Sequence, residues 1–338
     1  MKIAFLNIYQ GKQIRGAEIF VSELSYRLAK KHEIVLYAGR KAPAPRWPIL
    51  WRAFIDPHGI QNFIWTLKQL PKIWRTKPDV VLPLNGAWQP ALVRILTWLY
   101  GGKMVISGQS GKGWDDRNNL WCFPNAFVAL SQELSLWAKK ANPFVRVVHI
   151  PNGVNTKKFK PKGNKIEFKL GKPIILCVGA LTDEKRIDLA IKAVAKLKKG
   201  SLLVVGQGPL KDKLNKLGKR LLGRRFLIKK YAYEKMPQIY RGANIFTLPS
   251  PSFRAFEIVI VEALATGLGV VVNDDPIRRE IVGKAGKFVD PLDTQEYAKA
   301  LKEVLKRGWT KIARKQAEKF DWDKITKDYE SLFKEITK

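Results

Sequence analysis

The chain has 338 residues, 46% of them apolar and 27% charged, which excludes a disordered tail and is long enough for two domain cores. Its 62 basic residues against 29 acidic ones give a formal net charge of +33. That points either to an anionic partner (nucleic acid, anionic lipid, phosphorylated substrate) or to a lysine bias spread over solvated faces. No window reaches the roughly 18 uninterrupted apolar residues of a membrane-crossing helix, and the opening MKIAFLNIY lacks the apolar core and cleavage site of a secretory signal. The expected location is therefore cytoplasmic. Cys122 and Cys177 lack CxxC spacing and read as reduced packing residues, and His32, His58 and His149 are too scattered for a metal site.

In chain order, KIAFLNI reads as a strand, AEIFVSELSYRLAKK as a helix and EIVLYAG as a second strand, a βαβ opening that implies a parallel sheet. Strands follow at DVVLPLN, KMVISG, AFVALS and VRVVHIP. The stretch IPNGVNTKKFKPKGNKIEFKLGKP, rich in Lys, Pro, Gly and Asn, reads as a linker. The alternation then restarts with PIILCVGA, helix RIDLAIKAVAKLK, SLLVVGQG, helix PLKDKLNKLGKRLL, RFLIKKY, NIFTLPS and GLGVVVND. The closing DWDKITKDYESLFKEITK reads as an amphipathic helix. The expectation from this pattern is an α/β protein with two parallel-sheet domains joined by a short linker, and a final helix that stands apart from both.

Open parallel sheets bind anions at the carboxyl ends of their strands, where helix N-termini present N–H groups. Four loops qualify. IRGAE sets Gly16 before the first helix, VGALTDEKR holds Lys185 and Arg186, VGQGPL turns at Gly206, Gly208 and Pro209, and PSPSFRAFEIVIVEALATG follows a later strand. Each taken singly could be an ordinary turn.

Taken in order, GAE, IPNGVNTKKFKP, VGALTDEKRIDLAIKAVAKL, VGQGPL, MPQIYRGANIFTLPS, EALATGLGVVV and AEKFDWDKITKDYESLF resemble the retaining, GT-B-fold glycosyltransferases of family four, over nearly the whole chain. The resemblance implies two Rossmann-like domains, over 1–155 and 156–320, with an interdomain cleft, and a final helix over 321–338 packing back on the first domain. It also implies transfer of a sugar from a nucleotide-sugar, held mainly by the second domain, to a glycan or lipid-linked acceptor at the first. Carried over residue by residue, Glu262 would hold the donor ribose hydroxyls, Lys185 the diphosphate, and Gly16 would let the backbone approach that diphosphate. Gly206 and Gly208 belong to the substrate-binding loops. A cation on the leaving diphosphate lowers the barrier, and a carboxylate accepts two ribose hydroxyls in fixed geometry. In the front-face mechanism usually proposed for the family, the departing phosphate takes the acceptor proton. No metal and no further cofactor are expected.

Three positions depart from the family pattern. Arg254 stands where the first of two paired glutamates belongs, Glu257 stands where a glycine is usual, and Gly179-Ala180-Leu181 lacks the arginine of a GRL triplet. The first-domain histidine is also missing from VISGQSGKGWDDRNN, which leaves Gln109, Ser110, Asp115 or Asp116 to serve. Two readings compete. In one, Arg254 supplies the absent cation beside Lys185, as a catalytic pair. In the other, the chain is a weakened or inactive GT-B protein that binds nucleotide-sugar or glycan. Glu257 leans toward the second, as bulk and negative charge near a phosphate. Asp274, Asp275 and Arg278 follow a strand end without an assigned role.

Between Lys41 and Lys77, Trp47, Trp51, Trp65 and Trp74 alternate with Arg46, Arg52, Lys68, Lys72 and Arg75. That pattern suits an anionic membrane surface, peripheral on the inner face of the cytoplasmic membrane, or a helical hairpin packed into the first domain. Single-stranded nucleic acid is the weaker candidate, since no recognised binding motif accompanies it.

Overall fold

The computed structural model describes residues 1–12, 15–39, 57–86, 88–251 and 256–338, with Pro57 and His58 as backbone alone. Arg254 and the Trp47 and Trp51 stretch lie outside the described residues. The chain divides into two compact units, one made of Met1–Asn152 with Trp322–Lys338 and the other of Gly153–Asp321.

In the first unit, six strands form one parallel sheet ordered β2-β1-β3-β4-β5-β6. They are β1 (Lys2–Asn7), β2 (Glu33–Ala38), β3 (Val80–Pro83), β4 (Lys103–Ser107), β5 (Ala126–Ala129) and β6 (Val147–His149). Helices α1 (Gly16–Leu28), α2 (Pro57–Thr76), α3 (Trp88–Tyr100), α4 (Trp114–Leu120) and α5 (Gln132–Ala141) run between them. Strands β1, β3, β4 and β5 are buried along almost their whole length, which is why they read as continuous apolar runs and not as alternating ones.

The second unit repeats the plan, with the order β12-β11-β10-β7-β8-β9, again all parallel. Its strands are β7 (Ile174–Val178), β8 (Ser201–Val205), β9 (Phe226–Lys229), β10 (Ile245–Leu248), β11 (Gly269–Asn273) and β12 (Gly286–Val289). Its helices are α6 (Ile187–Ala195), α7 (Lys211–Leu222), α8 (Met236–Gly242), α9 (Ile258–Ala265), α10 (Pro276–Val282), α11 (Thr294–Leu305) and α12 (Thr310–Ala317). Edge strand β12 escaped the sequence reading because GKFV is short and only its last residue is buried.

The stretch read as a linker is part of this unit. Phe159 is fully buried against the rings of Tyr233 and Tyr240, and the Ile166 N–H donates to the Gln238 carbonyl. Its Pro and Gly content suppresses regular structure but does not prevent packing.

The last helix, α13 (Trp322–Thr337), belongs to the first unit. Trp322, Ile325, Tyr329, Leu332 and Phe333 form a stripe at helical spacing that enters the core around Phe20.

Both sheets have a point where successive connections turn to opposite sides, which in open α/β sheets opens a crevice beyond the strand ends. It lies between β1 and β3 in the first unit and between β7 and β10 in the second. The connections leaving β1, β7 and β10 lead to Gly16, Lys185 and Glu257.

Candidate functional site

In the second unit, the loop after β7 and the loop after β10 meet through charge. Lys185, in a single 3-10 turn after β7, donates from Nζ to both oxygens of Glu257, at 2.8 and 2.9 Å. Glu257 is the residue that caps α9. Arg278, in the first turn of α10, reaches the same carboxylate (Nη2 to Oε1, 3.4 Å) and the Ser250 hydroxyl (3.1 Å). Asp275 caps α10 by accepting from the Arg278 N–H, and its carboxylate lies 3.6 Å from Arg278 Nη1. Burial pushes the Glu257 carboxyl up, but the Lys185 and Arg278 cations outweigh it and hold it below the usual glutamate range. Glu257 is thus a buried, doubly countered anion and not a bare charge aimed at solvent. Arg186, next to Lys185, takes a left-handed backbone (φ 48°), an uncommon geometry for a non-glycine residue that tends to cluster at functional sites.

Glu262 sits one turn into α9 and is buried, with both oxygens accepting: Oε1 from the Tyr233 hydroxyl at 2.7 Å and Oε2 from the Tyr240 hydroxyl at 2.9 Å. Burial, with the Glu262 carboxylate beside it, raises the Tyr240 hydroxyl well above an ordinary tyrosine, so it stays a donor. Tyr233, half-buried, carries Lys158 over its ring at 4.6 Å. The sequence reading missed Tyr233 and Tyr240. Tyr240 lies on the buried stripe of MPQIYRG and looks like ordinary core there.

Gly206 and Gly208 owe their lack of a side chain to the neighbouring loop. A Cβ on Gly206 would lie 1.9 Å from the Gly179 carbonyl oxygen, and one on Gly208 would lie 2.5 Å from that of Leu181. The loop is stitched there by Leu181 N–H to the Gln207 carbonyl and Leu210 N–H to the Leu181 carbonyl. These glycines therefore shape the Lys185 loop, and the closest backbone they admit is the protein's own.

In the first unit, Gly16 is exposed and opens α1, where the Glu18 side chain accepts from the Arg15 N–H. Beneath it, Asn7 at the end of β1 donates to Gln10 and Glu18, and the Asn85 side chain accepts from the Ile8 N–H. The Asn85 N–H donates to Gln89, which reaches Asn62 on α2. A carboxamide network thus lines the switch point of this sheet. Gln109 exchanges hydrogen bonds with Asn152 and donates to the Ser107 hydroxyl, while Asp115 is exposed beside Gly86. The neighbouring Asp116 is buried, accepts from the N–H groups of Ser110 and Gly111 and from Asn119, and has its carboxyl pushed up to about 7 by burial. Lys185, Glu257 and Arg278 are therefore brought together, Glu262 lies on the same helix as the Glu257 cap, and Gly16, Gln109 and Asp115 belong to the other unit. Among the described residues no three His, Cys, Asp or Glu side chains converge as a metal site.

Residues 159–320 match the family described as glycosyl transferases group 1. The sulfoquinovosyl transferase of Arabidopsis thaliana is 27% identical over 218 residues, 60% of this chain and 40% of that protein. The phosphatidyl-myo-inositol mannosyltransferase of Mycolicibacterium smegmatis is 27% identical over 203 residues, 56% and 52% of the two chains. The matches thus span only about half or less of these relatives' own lengths. Among solved structures, sucrose-phosphate synthase from Thermosynechococcus elongatus superposes with a TM-score of 0.78 at 18% identity, covering 99% of this chain and 98% of that one. Anabaena HepE in complex with UDP-glucose gives 0.75 at 17% identity, covering 98% and 99%. Likenesses at that identity establish the fold, which is GT-B: two Rossmann-like α/β domains. The second unit of this chain is a glycosyl transferases group 1 domain.

Proposed function

We propose that the protein is a retaining glycosyltransferase that moves a sugar from a nucleoside-diphosphate sugar to a glycan or lipid-linked acceptor. The observation that carries this reading is the placement of Lys185 on the loop leaving β7 and of Glu262 in the helix that follows β10, the two strands that flank the switch point of the group 1 domain. In the proposed reaction Lys185 meets the diphosphate as negative charge grows on the leaving oxygens, and Glu262 receives the ribose hydroxyls. With retention, the acceptor oxygen attacks the face that the diphosphate leaves, and its proton passes to the departing phosphate. Crystallised HepE in complex with UDP-glucose supports a nucleotide-sugar donor here. A relative that is a phosphatidyl-myo-inositol mannosyltransferase supports a lipid-linked acceptor. The test is a thermal-shift screen of nucleotides and nucleotide-sugars, followed by transfer to candidate acceptors with the product anomer read by NMR. Transfer with inversion would remove the retaining mechanism, and no response to any nucleotide would remove the donor site.

The Lys185–Glu257 ion pair favours a second reading, a protein that binds donor without turnover, because the expected diphosphate cation is already engaged. Binding without hydrolysis or transfer would select it.

A lipid-linked acceptor requires docking at the cytoplasmic face of a membrane, and α3 supports such a surface. Trp88, Ile95, Trp98 and Leu99 are exposed and fall on one helical face, with the Arg94 guanidinium 5.1 Å over the Trp98 ring. On the neighbouring helix α2, Ile64, Leu67 and Trp74 are exposed among Lys68, Lys72 and Arg75. From residue 57 to 114 Asp79 is the only acidic residue in the sequence, and it accepts from the Lys2 N–H. Basic and aromatic groups without opposing acids suit anionic headgroups. No helix of the described residues is long and apolar enough to cross a membrane.

A further inference from the structure

At the ends of β7, β10 and β11 the charges alternate as Lys185, Glu257, Arg278 and Asp275, each within 4 Å of the next. Two cations and two anions cancel, so this cluster presents no net positive charge to a diphosphate. A diphosphate seated at Lys185 must compete with Glu257, which already takes two hydrogen bonds from the ammonium.

The members differ in freedom. Side-chain exposure is 20% for Lys185, 10% for Glu257 and 1% for Arg278. Lysine is a point charge on a flexible stem, and this one sits in a single 3-10 turn whose next residue is left-handed. Arg278 is a planar fork fixed by Ser250, Glu257 and Asp275, on a helix capped by Asp275. A buried carboxylate that loses its only cation is strongly destabilised. Glu257 would not be left in that state, because Arg278 remains on Oε1 and the Ser250 hydroxyl hydrogen-bonds to the same carboxylate.

We propose that Glu257 is a displaceable counter-ion that holds Lys185 until a diphosphate takes it, and that Arg278 is the positioning residue that keeps Glu257 in place during the exchange. The proposal rests on the reading of this unit as a nucleotide-sugar site. It turns the residue that argued against activity into an occupant of the site when no donor is bound. A diphosphate then binds by anion exchange at Lys185 and not by adding to an open cationic pocket.

The test is calorimetric titration of the full chain with inorganic pyrophosphate and with UDP, each variant checked for folding by its melting curve. Glu257→Gln removes the charge and keeps the shape, so both ligands should bind about tenfold more tightly. Arg278→Met should weaken binding, because Glu257 then has Lys185 as its main cation, and Glu257→Gln in the Arg278→Met background should restore it. In a Lys185→Met background Glu257→Gln should change nothing. Equal or weaker binding by folded Glu257→Gln, or a gain that persists without Lys185, overturns the proposal. Should Arg278→Met not fold, Arg278→Lys and the Lys185–Glu257 cycle still decide. Wild-type binding with no gain in Glu257→Gln rejects the counter-ion role alone, whereas absence of binding in both chains also rejects the donor site.

Discussion

The Tyr240 hydroxyl lies 2.9 Å from Glu262 Oε2 on a carboxylate that is 1% exposed. Tyr233 takes the other oxygen, and Phe159 packs against both rings. Tyr240 is fully buried and Tyr233 only partly, so Tyr233 is the partner that an incoming ribose hydroxyl would displace. Tyr240→Phe is expected to cost about 1–3 kcal/mol in chemical denaturation, because it takes a donor from a buried carboxylate. Tyr233→Phe should leave nucleotide affinity intact, while Glu262→Gln should weaken it about tenfold or more, as the charged acceptor is lost. If Glu262→Gln binds UDP as the wild type does, the ribose role is wrong.

Gly206 is held to glycine by the backbone that faces it. A methyl group there would meet the Gly179 carbonyl oxygen at 1.9 Å, and neither backbone segment can turn aside as a side chain would. Gly206→Ala should destabilise the second unit by at least about 3 kcal/mol in urea denaturation. Gly113→Ala, with nothing within 4 Å and an extended backbone, should stay within about 0.5 kcal/mol of wild type.

Asp116 gives the first unit a pH dependence with a definite sign. Below about 3.8 its carboxyl is protonated whether the chain is folded or not. Between that value and about 7 the unfolded chain has lost the proton and the folded one keeps it, so stability falls as pH rises and levels off above. Asp115, exposed on the same turn, pushes in the same direction, while the Ser110 and Gly111 N–H groups and Asn119 oppose it. Melting temperatures at pH 5 and pH 8 should differ more for wild type than for Asp116→Asn. Equal differences would show that Asp116 titrates normally.

For the α3 face, Trp98→Ser with Leu99→Ser removes two side chains that are 71% and 69% exposed, so the melting temperature should not move. Co-sedimentation with phosphatidylglycerol vesicles should drop several-fold, and added salt should weaken the wild type further. Self-association in the ultracentrifuge without vesicle binding would give this face to a second copy of the chain instead.

Strand placement was readable because buried parallel strands are apolar on both faces, and Lys185 and Glu262 stood out because the segments around them resemble a known pattern. Arg278 was visible but carried no role, since nothing in DDPIRREIVG says that its guanidinium turns inward toward Glu257. For the same reason the charge of Glu257 was visible and its two cations were not. Tyr240 and Tyr233 come from the segment before β10, and only the fold carries their hydroxyls to a carboxylate more than twenty positions later. Helix α3 buries the polar Gln89 and Thr97 and exposes Trp98 and Leu99, the reverse of what polarity suggests, so its exposed side became apparent only in three dimensions.

The return of α13 sets an order of assembly. Residues 1–152 are synthesised before the second unit, yet Trp322, Tyr329 and Phe333, which close the core around Phe20, are made after it. The chain enters the second unit at Gly153 and leaves it at Asp321, and the next residue in, Val154, is bridged side by side with Asp321, its N–H on the Phe320 carbonyl. A nascent chain can therefore finish the later unit while the earlier one still waits for its final helix. A chain stopped after Asp321 should yield a protease-resistant fragment from residue 153 onward and rapid cleavage within 1–152, the reverse of what N-to-C synthesis alone would suggest.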